Sequence, residues 1–201
     1  MIPFRIATTP DAIIASYHKN PHRLDGCDFG GHTNMHDAAM RGCNASIITL
    51  LKLGSSAHHM VDYMGKTPIF YAVRYNRPDV IETLARAGCN INIIDKYQLP
   101  LLFEAISRGH VDAIIAIVKW GNCQINTPDS SGHSPLFVAL KNRNQEMIHV
   151  LRILGARINT NDRNLSDEEL KLLNEPICEN KILCVRKQIH FDRFLFDILL
   201  S

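Results

Sequence analysis

No stretch of this 201-residue chain is long and apolar enough to cross a bilayer: the longest runs, such as 113–118, fall far short of the ~20 residues a membrane helix needs. The first residues, Met1-Ile2-Pro3-Phe4-Arg5, lack the apolar core of a secretory signal, so a cytoplasmic protein is expected, with host cytoplasm an option for a pathogen or viral protein. An excess of one charge is missing too. Lys and Arg number 22 against 20 Asp and Glu, for a net charge of +2, and like charges nowhere form a block. That balance argues against nucleic acid and against an anionic membrane as partner. The 6 cysteines contain no pair with the spacing of a zinc knuckle or a redox motif. Reduced thiols are expected, with Cys43 and Cys178 packed as small apolar groups. Nucleophile elbow, phosphate loop and nucleotide-binding glycine pattern are all absent, so nothing asks for catalysis or a cofactor.

What is present is a period. Aspartates stand at 28, 62, 95 and 129, and a glycine follows each 26 residues later, at 54, 88, 121 and 155. The steps of 34, 33 and 34 residues mark stacked repeats, and 46% hydrophobic residues suffice for a continuous core. In the second copy Asp62-Tyr63-Met64-Gly65 is a turn, Gly65 taking a positive φ cheaply. Thr67 then N-caps a short helix with Pro68 at its first position. Ile69, Phe70, Ala72 and Val73 lie on that helix, and Asn76 ends it in a left-handed conformation. Val80, Ile81, Leu84 and Ala85 give a second helix its apolar face. The other copies keep the plan, but in the third Gln98 replaces the turn glycine and Pro100 takes the capping site.

These residues resemble the ankyrin repeat, over roughly residues 8 to 161: a turn, Thr-Pro-Leu-His, a small-residue helix, a Gly-His turn, a Leu-rich helix and a closing Gly. Gly65-Lys66-Thr67-Pro68 and Gly109-His110-Val111 carry the likeness best. The resemblance implies an all-α solenoid of helix pairs joined by hairpin-like turns. We expect repeats at 28–61, 62–94, 95–128 and 129–161, an N-terminal capping half-repeat at 1–27 and a degenerate cap with a terminal helix at 162–201. Asp11-Ala12-Ile13-Ile14-Ala15 repeats as Asp112-Ala113-Ile114-Ile115-Ala116, so the first helix of that half-repeat is shortened to 3–7. Ser166-Asp167-Glu168-Glu169 is a capping box opening a helix to about Asn174, and Pro176 is expected to start the next. Ala38, Ala72, Ala105 and Ala139 let first helices approach closely.

The resemblance also implies that partners meet the turn tips and the open side of the first helices, the concave face. Carried over by position, the tips are Phe29, His32, Tyr63, Met64, Lys66, Lys96, Tyr97, Ser131 and His133. The first helices and their ends add Asp37, Tyr71, Arg74, Tyr75, Glu104, Arg108 and Lys141, and Trp120 holds a variable site before the closing glycine. Phe29, Tyr63 and Tyr97 would form a ladder on successive tips, and aromatic and arginine side chains dominate binding hot spots. His32 and His36 have a spacing that suits zinc on one helix, but His32 precedes the helix. The resemblance gives His36 and His110 structural hydrogen bonds, and it raises asparagine hydroxylation at Asn92, Asn126 and Asn159, where the alternative is turn stabilisation.

The expected function is therefore a non-enzymatic, monomeric module that binds a protein partner, with a host-directed effector or inhibitor among its forms. One alternative is an adaptor that recruits a larger assembly, such as a ubiquitin ligase, through Phe194, Leu195, Ile198 and Leu199. The other is an enzyme or enzyme regulator without a recognisable motif.

Overall fold

The computed structural model describes residues 9–121, 123–162, 165–179, 181–185, 187 and 189. A first helix, α1 (Pro10–Lys19), is followed by four antiparallel pairs. These are α2 (Asn34–Arg41) with α3 (Asn44–Lys52), α4 (Pro68–Arg74) with α5 (Pro78–Arg86), α6 (Leu101–Arg108) with α7 (Val111–Gly121), and α8 (Pro135–Lys141) with α9 (Gln145–Ile153). A further helix, α10 (Asp167–Asn174), packs on α8 and α9. Helices α2, α4, α6 and α8 stack in chain order as an inner layer, and α1, α3, α5, α7 and α9 stack behind them as an outer layer. The fold is the all-α ankyrin solenoid. Among the described residues no strand forms; isolated antiparallel bridges join Cys27 to Thr33 and Ile94 to Pro100 at the turns.

Helices this short are marginal by themselves, and here stacking holds them. The four alanines of the inner layer, Ala38, Ala72, Ala105 and Ala139, are fully buried and let backbones come close. Behind them Ile47, Leu50, Ile81, Leu84, Ile114, Ile117, Ile148 and Leu151 fill the space between layers. Capping sets the ends. The Thr33 and Ser134 hydroxyls accept from the His36 and Phe137 amides, while proline stands in the first turn of α4, α5 and α8. Thr67 occupies the N-cap of α4 but makes no capping bond, and its hydroxyl is unpartnered among the described residues. Asn76 is left-handed as expected, at φ 50°.

The turn glycine has a second role. A Cβ on Gly65 would stand 3.1 Å from the Lys96 amide nitrogen in the next turn, so stacking the turns needs the bare backbone. Gln98 takes the matching place in the third turn at φ 61°, which strains a residue with a Cβ. Gln98→Gly relieves that strain and is expected to raise stability by about 0.5–1 kcal/mol after the added chain entropy, read as a higher urea midpoint at unchanged slope.

At α10 the capping box forms in full. The Ser166 hydroxyl accepts from the Glu169 amide at 3.3 Å, and the Glu169 carboxylate accepts from the Ser166 amide at 2.7 Å. Pro176 does not open the next helix. Residues 176–178 are not helical; Glu179 is, the amides of Lys181 and Ile182 bond back to the Cys178 carbonyl, and helix runs over 181–185. Cys178 is exposed rather than packed, whereas Cys43 does pack against the core. Residues 3–7 and the segment with Phe194, Leu195, Ile198 and Leu199 lie outside the described residues.

Candidate functional site

Each turn is built by its aspartate. One Asp62 carboxylate oxygen, Oδ1, accepts from the amides of Met64 at 2.8 Å and Lys66 at 2.9 Å. Asp28 does the same for Gly30 and His32, Asp95 for Tyr97 and Leu99, and Asp129 for Ser131 and His133. A side chain that satisfies its own turn amides is the reason this position is Asp in all four copies. The clamp turns the aspartate inward, so the residues on either side of it face out. Neighbouring tips are tied together: the Tyr63 amide donates to the Gly30 carbonyl at 3.2 Å, and the Lys96 amide to the Met64 carbonyl at 3.3 Å.

Behind the tips runs a buried polar chain. The Tyr71 hydroxyl donates to Asp62 Oδ2, and His32 Nε2 lies 3.0 Å from the same hydroxyl and 3.4 Å from Asp62 Oδ2. His36 Nδ1 accepts from the Thr33 amide at 3.1 Å, which leaves Nε2–H to donate to the Lys66 carbonyl at 3.0 Å. Burial holds its pKa below the ordinary histidine value and keeps the ring neutral. His110 Nδ1 meets the Val73 carbonyl at 3.1 Å, so both histidines are inter-repeat ties. Burial by itself would raise Asp62, but the bonds from Tyr71 and the Lys66 and Met64 amides outweigh it and hold the carboxyl below its usual range. Burial and the same Asp62 bond push the Tyr71 phenol up, so the hydroxyl stays a donor.

Further along, Lys66 Nζ reaches Asp95 at 3.6 Å and Glu104 at 4.0 Å, and Arg108 Nε bonds Glu104 at 2.7 Å. Four residues expected on the open surface are therefore interior. Asp37, Lys66, Tyr71 and Glu104 are buried, because each has a polar partner in its own repeat or the next that pulls it in.

The remaining tips are open. Phe29 is 90% exposed, Tyr63 71% and Tyr97 61%, with Met64, Tyr75, Lys96 and Ser131 also exposed. The ladder is not in one register: the Tyr97 amide takes the bond that Met64 makes in the turn before, so Lys96 is the counterpart of Tyr63. His32, Arg74 and His133 are half-buried, His133 stacked on Phe137 at 4.7 Å. Arg108 and Lys141 are exposed at the inner-helix ends. Trp120 does not join them. It sits on outer helix α7 with the Arg86 guanidinium 4.2 Å over its ring, in a cleft lined by Pro78, Asp79, Glu82 and Asp112. Val61 and Ile94, each just before a turn aspartate, are exposed and were missed. An inward aspartate in an extended segment sends both neighbours outward, and that alternation was readable.

Asn92 and Asn126 accept from the amides of Gln124 and Arg157 in the following repeat, at 3.0 and 2.8 Å, and Asn159 Nδ2 donates to the Gly132 carbonyl at 2.8 Å. All three thus tie backbone together. Among the described residues no three His, Cys, Asp or Glu side chains converge as a metal site would need, and no helix is long and apolar enough to cross a membrane.

The stack of helix pairs, with clamped turns projecting from one edge, defines a repeat-type interaction protein. The family described as Ankyrin repeats (3 copies) matches residues 11–95 and 87–162, and the chain belongs to it. Among known proteins it is similar to inversin of Gallus gallus, 26% identical over 144 residues, which covers 69% of this chain and 13% of inversin. It is similar to an L-asparaginase of Dirofilaria immitis, 28% identical over 139 residues, covering 69% of this chain and 23% of that protein. The B-cell lymphoma 3 protein homolog of Mus musculus is 26% identical over 140 residues, covering 67% of this chain and 29% of that one. The chain thus spans less than a third of each of these relatives. Ankyrin repeats make it a protein–protein interaction module of a generally non-catalytic kind.

Proposed function

We propose that this chain works as a monomer, without cofactor or chemistry, and holds one protein partner across its turn tips and the open side of its inner helices. The observation that supports this is apolar area left in water where the core has no use for it. Phe29, Val61, Tyr63, Met64, Ile94 and Tyr97 are all exposed on three adjoining turns whose backbones are bonded to one another. Single exposed apolar residues are ordinary, whereas a row of them on one edge marks a contact surface. The turns beneath are rigid, each clamped by its aspartate, so little ordering cost stands against binding.

The test is an affinity capture of partners from a host or parent cell extract, run with wild-type protein and with Tyr63→Ala/Tyr97→Ala. Partners of the wild type should be lost from the double variant, each tyrosine accounting for about 1–2 kcal/mol of binding. Folding stability should move by no more than about 0.5 kcal/mol per substitution, since both rings stand in water. If the partners remain, or if the variant simply melts, these side chains are packing and the proposal is wrong.

A further inference from the structure

The inner helices carry a second repeat that the tips do not explain. Each ends on a cation: Arg41, Arg74, Arg108 and Lys141 close α2, α4, α6 and α8. A helix C-terminus favours a cation, so the dipole accounts for the residue type. It does not account for how their charge is balanced. Only two carboxylates lie on these four helices, Asp37 and Glu104, and both are buried.

At the two ends each cation has a carboxylate in hydrogen-bond contact: Arg41 has Asp37 at 2.8 Å, and Lys141 has Glu169 at 2.9 Å. In the middle Glu104 is shared by Arg108 at 2.7 Å, Arg74 at 3.8 Å and Lys66 at 4.0 Å. Asp95 serves Lys66 as well, so three cations face two carboxylates. Those carboxylate side chains are 7% and 2% exposed, whereas Arg74 and Arg108 are 37% and 39% exposed. Water therefore meets the positive groups and not the negative ones. Arg74 stands beyond hydrogen-bond distance of Glu104, and among the described residues its guanidinium makes no hydrogen bond. Lys96 adds another exposed cation on the tip, over the Tyr97 ring at 5.1 Å.

We propose that the partner presents an acidic segment with interspersed apolar residues. A carboxylate of it takes the open guanidinium edges of Arg74 and Arg108, and its apolar side chains cover Tyr63 and Tyr97. This rests on the interaction function proposed above and adds the partner's chemistry. Guanidinium forks suit carboxylates bidentately, and a face with cations outside and carboxylates inside selects an acidic partner by charge complementarity.

A displayed library of random peptides panned on the whole protein tests this. Enriched peptides should be rich in Asp and Glu beside aromatic and aliphatic residues, and should bind more weakly as salt rises. The affinity of a selected, fluorescently labelled peptide should fall roughly tenfold in Arg74→Gln/Arg108→Gln and stay unchanged in Arg41→Gln, whose ion pair is already balanced. Arg74→Gln alone removes no hydrogen bond of the fold and should cost about threefold if the double variant unfolds. Neutral or basic selected peptides overturn the acidic assignment, and so do acidic peptides indifferent to both arginines. If such peptides still depend on Tyr63 and Tyr97, the interaction surface stands and only its chemistry is wrong. A library with no enrichment, or with peptides indifferent to the arginines and the tyrosines alike, removes both. Tighter binding of duplex DNA than of the acidic peptides would likewise overturn a protein partner.

Discussion

Ala105→Asp should unfold the centre of the stack, at a cost of at least about 3 kcal/mol. Ala105 is fully buried in α6, in the same layer as Ala72 and Ala139, where helix backbones approach closest. A carboxylate there loses its water, and it also forces α6 away from its neighbours. Protonation would relieve the charge but not the volume. In a solenoid the consequence is regional, because stability is close to a sum of nearest-neighbour terms and a broken middle unit uncouples the two flanks. Trp120, the single tryptophan, stands on α7, the helix paired with α6, and reports that helix and its contact with α5. Its fluorescence should change at a lower urea concentration than in the wild type, and earlier than the far-UV circular dichroism signal of the same variant. Tyr97→Ala, on the tip of the same repeat, should leave both transitions near their wild-type places. Equal effects from the two substitutions would mean that the layer is not packed as described.

The period was readable because the turn must be rebuilt in each copy from the same local bonds. Asp28, Asp62, Asp95 and Asp129 clamp their own amides, a task that concerns at most five consecutive residues and so leaves a fixed mark in the chain. His36 and His110 were legible through the family resemblance alone, since their bonds reach the backbone of a neighbouring copy. What position within a repeat could not reveal is the depth of a side chain, which depends on partners elsewhere in its own copy and in the next. Tyr71 has the position of an exposed helix residue, yet the Asp62 carboxylate is within its reach and draws the ring inward. Lys66 looks like a turn-tip cation until Asp95 and Glu104 of the next copy are set beside it. The register of Tyr97 is a different matter. Counting from the clamping aspartate places Tyr97 opposite Met64 and not Tyr63, and the sequence contained that count. Treating tip aromatics as interchangeable hid it.

Asp62→Ala should cost about 3 kcal/mol, more than any other single side-chain truncation in the turns. The equivalent aspartates clamp two amides each, and among the described residues Asp62 alone of the four also accepts a tyrosine hydroxyl, that of Tyr71. Removing it leaves buried donors without an acceptor, each a loss of roughly 1–3 kcal/mol before relaxation. Asp62→Asn keeps one carbonyl oxygen for the amides but turns an amide group on Tyr71, so its cost should be intermediate. In a double-mutant cycle Asp62→Ala and Tyr71→Phe should fall short of additivity by 1 kcal/mol or more, on the order expected for hydrogen-bonded partners.

Acid separates the contributions further. His36, His58 and His149 are held below the ordinary histidine value, chiefly by burial. Their neutral forms contribute stability that is present above the unfolded value of ~6.5 and is lost as pH falls toward their folded values. Asp28 and Asp62 are depressed in spite of burial, because amide and hydroxyl donors hold the ionised forms. Their contribution is present above ~3.9 and fades as pH drops through the folded values. Urea midpoints should therefore decline in two stages on acidification, the histidine stage first. Asp62→Ala should flatten the second stage, and by removing a charge that favours protonated His36 it should deepen the first. An acid slope below pH ~4 identical in wild type and variant would show that the Asp62 carboxylate is not stabilised by the bonds it makes.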